Sequence, residues 1–447
     1  MLTSPLGRWA SLTACAASLL IGTAFAGQMH PGSVPGEKAT LVPDASHFSC
    51  ETRPFDLSKG VFCYTPNTIR KAYGIDGLIN KGYTGKGRTI VIIDAYVSPS
   101  IASDLALFDT AFGIPAPPSL KIIPMPGTPA FDPTDAGMVG WSGEIALDTQ
   151  WAHAVAPGAN IVFIGAKSAD DQDLLDALNY ALDNHLGDVV SMSFGESESF
   201  YGNPDGLDLL AAWTKAFTKA KAYRVTLFAS AGDWGATNPF DDEGDTLPFQ
   251  NISFPASSPL ITSVGGTNLF FGSATNADPN GSYQGEQVWN DGFGATGGGM
   301  SSLIDEPLFQ TLFVGPSVNK TLHKHRGIAD VSYNGGVVGG VITYWQFGSG
   351  GPGAYLFGGT SAGSPQWAGI VADINQIRGR PMGYINDRLY LLGGTGLLNG
   401  LFHDVKVGDN SFGGVDGYPA TRGYDLPTGW GTPNFGILGT LLADPSN

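Results

Sequence analysis

Apolar residues along this chain fall into two alternating patterns. Short continuous runs occur at Thr89-Ile90-Val91-Ile92-Ile93-Asp94 and at residues 161–164, 189–194, 225–230 and 260–264. Between them, residues 172–186 and 207–222 place apolar side chains at helical spacing. A strand that is apolar on both faces must be covered on both, and the intervening helices supply that cover. The expected fold class is therefore α/β, with a mostly parallel central sheet and helices on each side. Ligands of such sheets bind beyond the carboxyl ends of the strands, where Asp94, Ser193, Gly195 and Asp233 stand. Residues 270–344 break the alternation; they are glycine-rich around Gly297-Gly298-Gly299 and read as loops. A short helix is expected from Ile69 to Tyr73. With no internal repeat and no linker after residue 65, a single domain over 64–447 is the simplest organisation.

The first 63 residues lack this order. Arg8, the small apolar stretch from Ala14 to Ile21, and Ala24-Phe25-Ala26 form the three parts of a secretory signal over residues 1–26. That stretch is too short to span a bilayer, and no later one is long enough. No membrane partner is expected, and the mature protein is expected to be secreted, to the periplasm or beyond the cell. Residues 27–63 are rich in Pro, Gly and polar side chains and read as an irregular arm. Cys15 leaves with the signal. Cys50 and Cys63, close together in an exported chain, suggest one disulfide pinning the arm; two buried free thiols are the alternative. No Cys/His spacing resembles a zinc site. A net charge of −17 and a pI near 4.6 argue against nucleic acid or an anionic membrane surface as partner. A surface rich in carboxylates and poor in lysine loses much of its self-repulsion near about pH 4, which is compatible with an acidic working environment.

Three stretches carry candidate chemistry. Gly358-Gly359-Thr360-Ser361-Ala362-Gly363-Ser364-Pro365 follows an apolar run at 354–357 and precedes helical spacing at 366–375. Pro365 suits a first helical turn, and unpaired N–H groups at a helix start can face developing negative charge. A strand–turn–helix of this kind presents Ser361 as a nucleophile, although a glycine-rich turn with a serine cap has the same pattern. On the predicted helix around Trp141–His153, Glu144 and Asp148 are four residues apart and project from one face. Ile145, Ala146, Leu147 and Trp151 make that helix apolar, a costly setting for two negative charges. Carboxyls this close share a proton, and one pKa of the pair rises; a solvated acidic stripe near the start of a helix, which the macrodipole favours, is the alternative. Asp233 directly follows a buried strand, between Gly232 and Trp234. In an apolar pocket such a carboxyl can stay neutral and donate a hydrogen bond; an ordinary turn aspartate is the alternative.

Together these stretches resemble the sedolisins, serine-carboxyl peptidases with a subtilisin-like fold. The motifs are Glu144-x-x-x-Asp148 running into His153-Ala154-Val155-Ala156-Pro157-Gly158-Ala159, the strand Ser191-Met192-Ser193-Phe194-Gly195, and Ser230-Ala231-Gly232-Asp233. GGTSAGSP at 358–365 and Gly423-Tyr424-Asp425 with Thr428-Gly429-Trp430-Gly431-Thr432-Pro433 complete them. The resemblance runs from about residue 64 to the C-terminus. It implies an endopeptidase acting on proteins or peptides, with Ser361 as nucleophile and Glu144 as general base. Asp148 would be the partner of Glu144, and Asp233 a neutral oxyanion donor beside the N–H of Ser361. Ser193, Phe194 and Gly195 would supply substrate-groove backbone. The resemblance also implies one structural Ca2+, held by Asp404, the carbonyl of Val405, Thr421, Gly423 and Asp425. Thr421 stands where the family usually has glycine, which a carbonyl ligand tolerates. A glutamate base has an unperturbed pKa of about 4.3, and Asp233 donates only while protonated, so activity is expected at roughly pH 3–5. The family's long folded pro-domain has no counterpart in residues 27–63, which are too few for one. A monomer is expected.

Other readings compete. Asp94, His153 and Ser361 occur in the chain order of a subtilisin triad, although His153 shares a helix with the two acids. Gly359-Thr360-Ser361-Ala362-Gly363 matches the α/β-hydrolase elbow, with His403 downstream, but few residues remain for that fold's later aspartate and histidine. An exported, peptidase-like binding protein without activity is the non-enzymatic alternative.

Overall fold

The computed structural model describes residues 29–31, 34–40, 48, 50, 51, 62–239, 246–272, 282–395 and 400–443. The expected signal, residues 1–26, lies outside them. Thr89–Ala95 forms the middle of an eight-stranded sheet. Its alternation sends Ile90 and Ile92 into the core on one face and Val91 and Ile93 into the core on the other. Asn160–Ala166 repeats this with Ile161 and Phe163 against Val162 and Ile164. The strand order is Ser282–Val288, Thr262–Gly272, Thr226–Ser230, Val189–Met192, Thr89–Ala95, Asn160–Ala166, Leu120–Pro124, with Val331–Asn334 also paired to Thr262–Gly272. Only the Ser282–Val288 pairing is antiparallel. The mostly parallel α/β sheet expected from the apolar runs is thus present.

Helices cover both faces. Ile101–Phe112, Ala136–Val155 and Ser364–Arg378 pack on the Ile90/Ile92 side, and Asp171–Asp183 and Pro204–Tyr223 on the Val91/Ile93 side. Local sequence sets their starts. The Asp135 side chain accepts from Met138 N at 2.9 Å, and Asn203 accepts from Gly206 N at 2.9 Å ahead of Pro204. Ala136–Val155 is buried without interruption from Trp141 onward. It packs against Ser364–Arg378 and Gly340–Trp345 as well as the sheet, which explains why it has no polar stripe.

Two stretches differ from expectation. The apolar run 189–194 is not one strand: Val189–Met192 stays in the sheet, while Phe194–Ser197 turns away to pair with Ser253–Phe254 and His30–Pro31. The break falls at Ser193, whose polar groups are used elsewhere. Residues 270–344 are not mainly loops. They contain the strands Ser282–Val288, Gly299–Asp305, His325–Ile328, Val331–Asn334 and Gly340–Trp345, and two short helices. Their partners lie far along the chain, so composition alone hid them. The glycines there allow close approach: a Cβ on Gly297 would lie 1.9 Å from the Ala231 carbonyl oxygen.

The described part of the arm has its own pairings. Val34–Lys38 runs antiparallel to Gly353–Gly358, and Cys63–Tyr64 runs parallel to Gly340–Trp345. Cys50 and Cys63 are disulfide-bonded, with Cα atoms 5.4 Å apart. Among the described residues no helix is long and apolar enough to cross a membrane.

Candidate active site

After Thr89–Ala95 the chain builds the sheet to one side, and with Val189–Met192 it crosses to the other. A crevice opens at such a switch beyond the strand ends. Asp94 is the penultimate residue of the first of these strands and Ser193 follows the second.

The Ala136–Val155 helix packs against the Thr360–Ala362 turn and carries Glu144 and Asp148, both fully buried, on one side. Asp148 accepts from Ser193 Oγ at 2.7 Å. Burial, followed by the charges of Asp94 and Glu144, pushes the Asp148 carboxyl well above the usual range. Asp94 is also buried, and burial plus the charge of Glu144 raises it. Three carboxyls in one dry hollow cannot all ionise together, so the cluster retains a proton when exposed carboxylates have lost theirs.

Gly353–Gly358 delivers the serine. Gly359 turns the chain at φ 103°, a left-handed conformation that favours glycine. Thr360–Ala362 forms a 3₁₀ turn, and Ser364–Arg378 starts with Pro365 in its first turn. Ser361 Oγ donates to the Ser193 carbonyl at 3.4 Å. Ser193 therefore touches the serine through its backbone and Asp148 through its side chain.

On the other side of the turn, Asp233 Oδ1 accepts from both Thr360 N and Thr360 Oγ1 at 2.8 Å. Its Oδ2 is buried without a hydrogen-bond partner. Burial raises this carboxyl well above the ordinary aspartate range; the two Thr360 donors oppose the rise and the charge of Glu144 adds to it.

The histidines lie elsewhere. His153 follows Glu144 by nine residues, half a turn around the helix. Its Nε2 is 2.9 Å from the Pro115 carbonyl and 3.3 Å from Asp109 Oδ1. The subtilisin-type arrangement of Asp94, His153 and Ser361 is therefore not formed. His403 stacks on Tyr283 with ring centroids 3.9 Å apart, and burial lowers its pKa to about 4. It is engaged there, which removes the α/β-hydrolase alternative.

Phe194 is buried and packs near Trp141, with ring centroids 6.4 Å apart, and Gly195 pairs with His30. Sequence reasoning missed Thr360, which holds Asp233, and left Asp94 as a triad member rather than a third acid. Thr360 sits inside the GGTSAGSP motif, yet its partner is 127 positions away, beyond any local signal.

Near the C-terminus, Asp404 Oδ1 accepts from Gly423 N and Asp425 Oδ2 from Thr421 N, each at 2.9 Å. Both acids thus fold onto the 421–425 loop. Among the described residues no three His, Cys, Asp or Glu side chains gather as a metal-binding group. Two carboxylates offer oxygen donors, the ligand type that a hard cation takes. Burial pushes Asp425 up to about 7, opposed by the Thr421 and Thr428 donors and reinforced by Asp404.

A family model described as the subtilase family matches residues 137–382. Kumamolisin of Bacillus sp. (strain MN-32) is 34% identical over 402 residues, 86% of this chain and 64% of that protein. Sedolisin of Pseudomonas sp. (strain 101) is 32% identical over 313 residues, 67% of this chain and 49% of that protein. The chain spans between about half and two thirds of the length of these curated relatives. The solved structure of Pseudomonas sedolisin, a serine-carboxyl proteinase complexed with two molecules of pseudo-iodotyrostatin, has a TM-score of 0.71 and 26% identity. It covers 87% of this chain and 100% of that one.

Proposed function

The chain belongs to the subtilase family, in its sedolisin branch, and from that premise we propose that it is a secreted, acid-acting serine-carboxyl endopeptidase. Its substrates are proteins or peptides, cleaved through an acyl-enzyme on Ser361. One observation carries this reading. The turn holding Ser361 is tied on one side to Asp233 through Thr360, and on the other to Asp148 through Ser193.

The roles follow from that arrangement. Ser361 Oγ attacks the scissile carbonyl carbon while the Glu144 carboxylate takes the hydroxyl proton. Asp148, sharing a proton with Glu144, orients that carboxylate. The carbonyl electrons move onto oxygen, and the resulting oxyanion accepts from the Ser361 N–H and from Asp233. Both donors to Asp233 come to Oδ1, which leaves Oδ2 to carry the proton. Collapse breaks the C–N bond, and the leaving amine takes the proton from Glu144. Water then repeats the sequence on the acyl-enzyme and regenerates Ser361. Ser193, Phe194 and Gly195 offer backbone along which an extended peptide aligns.

Asp404, Asp425 and the carbonyls of Val405, Thr421 and Gly423 would hold one Ca2+. When bound, it supplies a fixed positive charge that ties residues 404 and 405 to the 421–425 loop. Export is supported by the signal-like N-terminus and the Cys50–Cys63 disulfide.

Peptide cleavage measured against pH on the mature chain tests the assignment. Activity should be confined to acid, Ser361→Ala should abolish it, and Glu144→Gln should lower kcat by about 10³-fold with little change in KM. His153→Ala should retain activity. Full activity in Glu144→Gln, or an optimum at neutral pH, would overturn the proposal.

A further inference from the structure

Beneath the strand Phe194–Ser197 lies a second pair of acids, which the proposed chemistry does not use. Alternate residues of a strand point to opposite faces. Gly195 faces the hollow beside Asp233, so Glu196 faces the other way. There it stands opposite Phe254, whose ring packs against Tyr201, Trp213 and Phe217. Asp171, the first residue of Asp171–Asp183, enters the same apolar layer. Its Oδ1 accepts from Trp213 Nε1 and its Oδ2 from Tyr201 Oη, each at 2.5 Å. A donor on each oxygen supports the ionised form of Asp171.

Glu196 lacks that support. It is buried, and its Oε2 has no hydrogen-bond partner. A charge on that oxygen would have neither water nor a donor. Burial, and after it the charge of Asp171, raises Glu196 to about 8, while Tyr201 opposes the rise. Burial raises Asp171 as well, against its donors. Asp171 and Tyr201 are the titratable groups that face Glu196. Glu198 turns instead to Ser301 Oγ and Ser302 N, at 2.6 and 2.8 Å. His30 lies with Gly195 on the opposite face, and Ser253–Phe254 brings no ionisable side chain.

We propose that Glu196 is a positioning residue for the groove: while neutral it rests beside Asp171 and seats the strand that follows Ser193. Once ionised it is repelled by Asp171 and drawn toward water, and the strand lifts. The seat matters because Ser193 accepts from Ser361 Oγ through its carbonyl and donates to Asp148 through its hydroxyl. The effect on substrate rests on the peptidase reading; the acid pair does not. Unfolded glutamate titrates at about 4.3. The stability that neutral Glu196 contributes is therefore complete below that value and is lost as pH rises through about 8.

Urea unfolding of Ser361→Ala, which removes self-cleavage, tests this with and without Glu196→Gln, an amide that copies the neutral acid. The two proteins should be similarly stable at about pH 4. Between about pH 5 and 8 their folding constants should diverge by about tenfold per pH unit, the glutamine variant being the more stable. Hydrogen exchange of the backbone amides of residues 194–197 at about pH 8.5 should be slower in that variant by about tenfold. Glu196→Met, neutral and of similar length, gives the same comparison should the amide fail to fold. Parallel pH dependences, or equal exchange at 194–197, would overturn the proposal. Divergence in a chain that, with Ser361 intact, cleaves no peptide at any pH would uphold the acid pair and sink the peptidase reading instead.

Discussion

Asp233 shows how much one side chain's surroundings decide. The same carboxyl in water would be an anion at neutral pH and would repel an oxyanion. Here burial and the charge of Glu144 outweigh the two Thr360 donors, and the pKa moves up. The neutral donor therefore persists above the ordinary aspartate range and is lost as pH rises through the raised value. On the proposed mechanism this loss forms the alkaline limb of activity. Asp233→Asn keeps an N–H donor at every pH. It should lower kcat at acid pH by about 10²-fold while flattening the alkaline limb of the pH–rate profile. A limb unchanged in the variant would assign it to another group.

Among elements, the crossing of Ala136–Val155 with Ser364–Arg378 sets the distance between the acids and the serine turn. Gly369 makes the crossing close. A Cβ there would lie 3.0 Å from the Ala152 carbonyl oxygen and 3.1 Å from Val155 Cβ. Gly369→Val must push the helices apart, at a cost of about 1–3 kcal/mol in stability measured by urea unfolding. Because Glu144 rides on one helix and Ser361 precedes the other, kcat should fall more than KM rises. A variant that lost stability and kept full kcat would show that the crossing only supports the core.

At the scale of the whole molecule, the crevice of the sheet, the serine turn and the C-terminal loops are brought together from distant parts of the chain. The 404–425 region is held by backbone donors to two acids, and a cation there would complete the fastening. Calcium at a hundredfold excess over its Kd would add about 2.7 kcal/mol. Chelation should lower Tm by a few degrees in calorimetry, and Asp404→Asn should make Tm insensitive to the chelator. Equal Tm with and without calcium in the native chain would remove the metal from this account.

By itself the sequence determined the architecture and the candidate groups for the chemistry. Continuous apolar runs demand cover on both faces, so the parallel sheet was legible. A four-residue spacing places Glu144 and Asp148 on one side of any helix. The motifs around 144, 233 and 361 were enough to name the family. These are local facts, fixed by backbone periodicity and residue type. Only the tertiary structure decided that Ser193 leaves its strand to join Asp148 to Ser361, that Thr360 holds Asp233, and that Asp94 is a third buried acid. It also decided that His153 and His403 are engaged elsewhere and that the arm lies along Gly195. Each of these is a contact between residues distant in sequence. Such pairings depend on how packed elements meet, and neither composition nor periodicity records that.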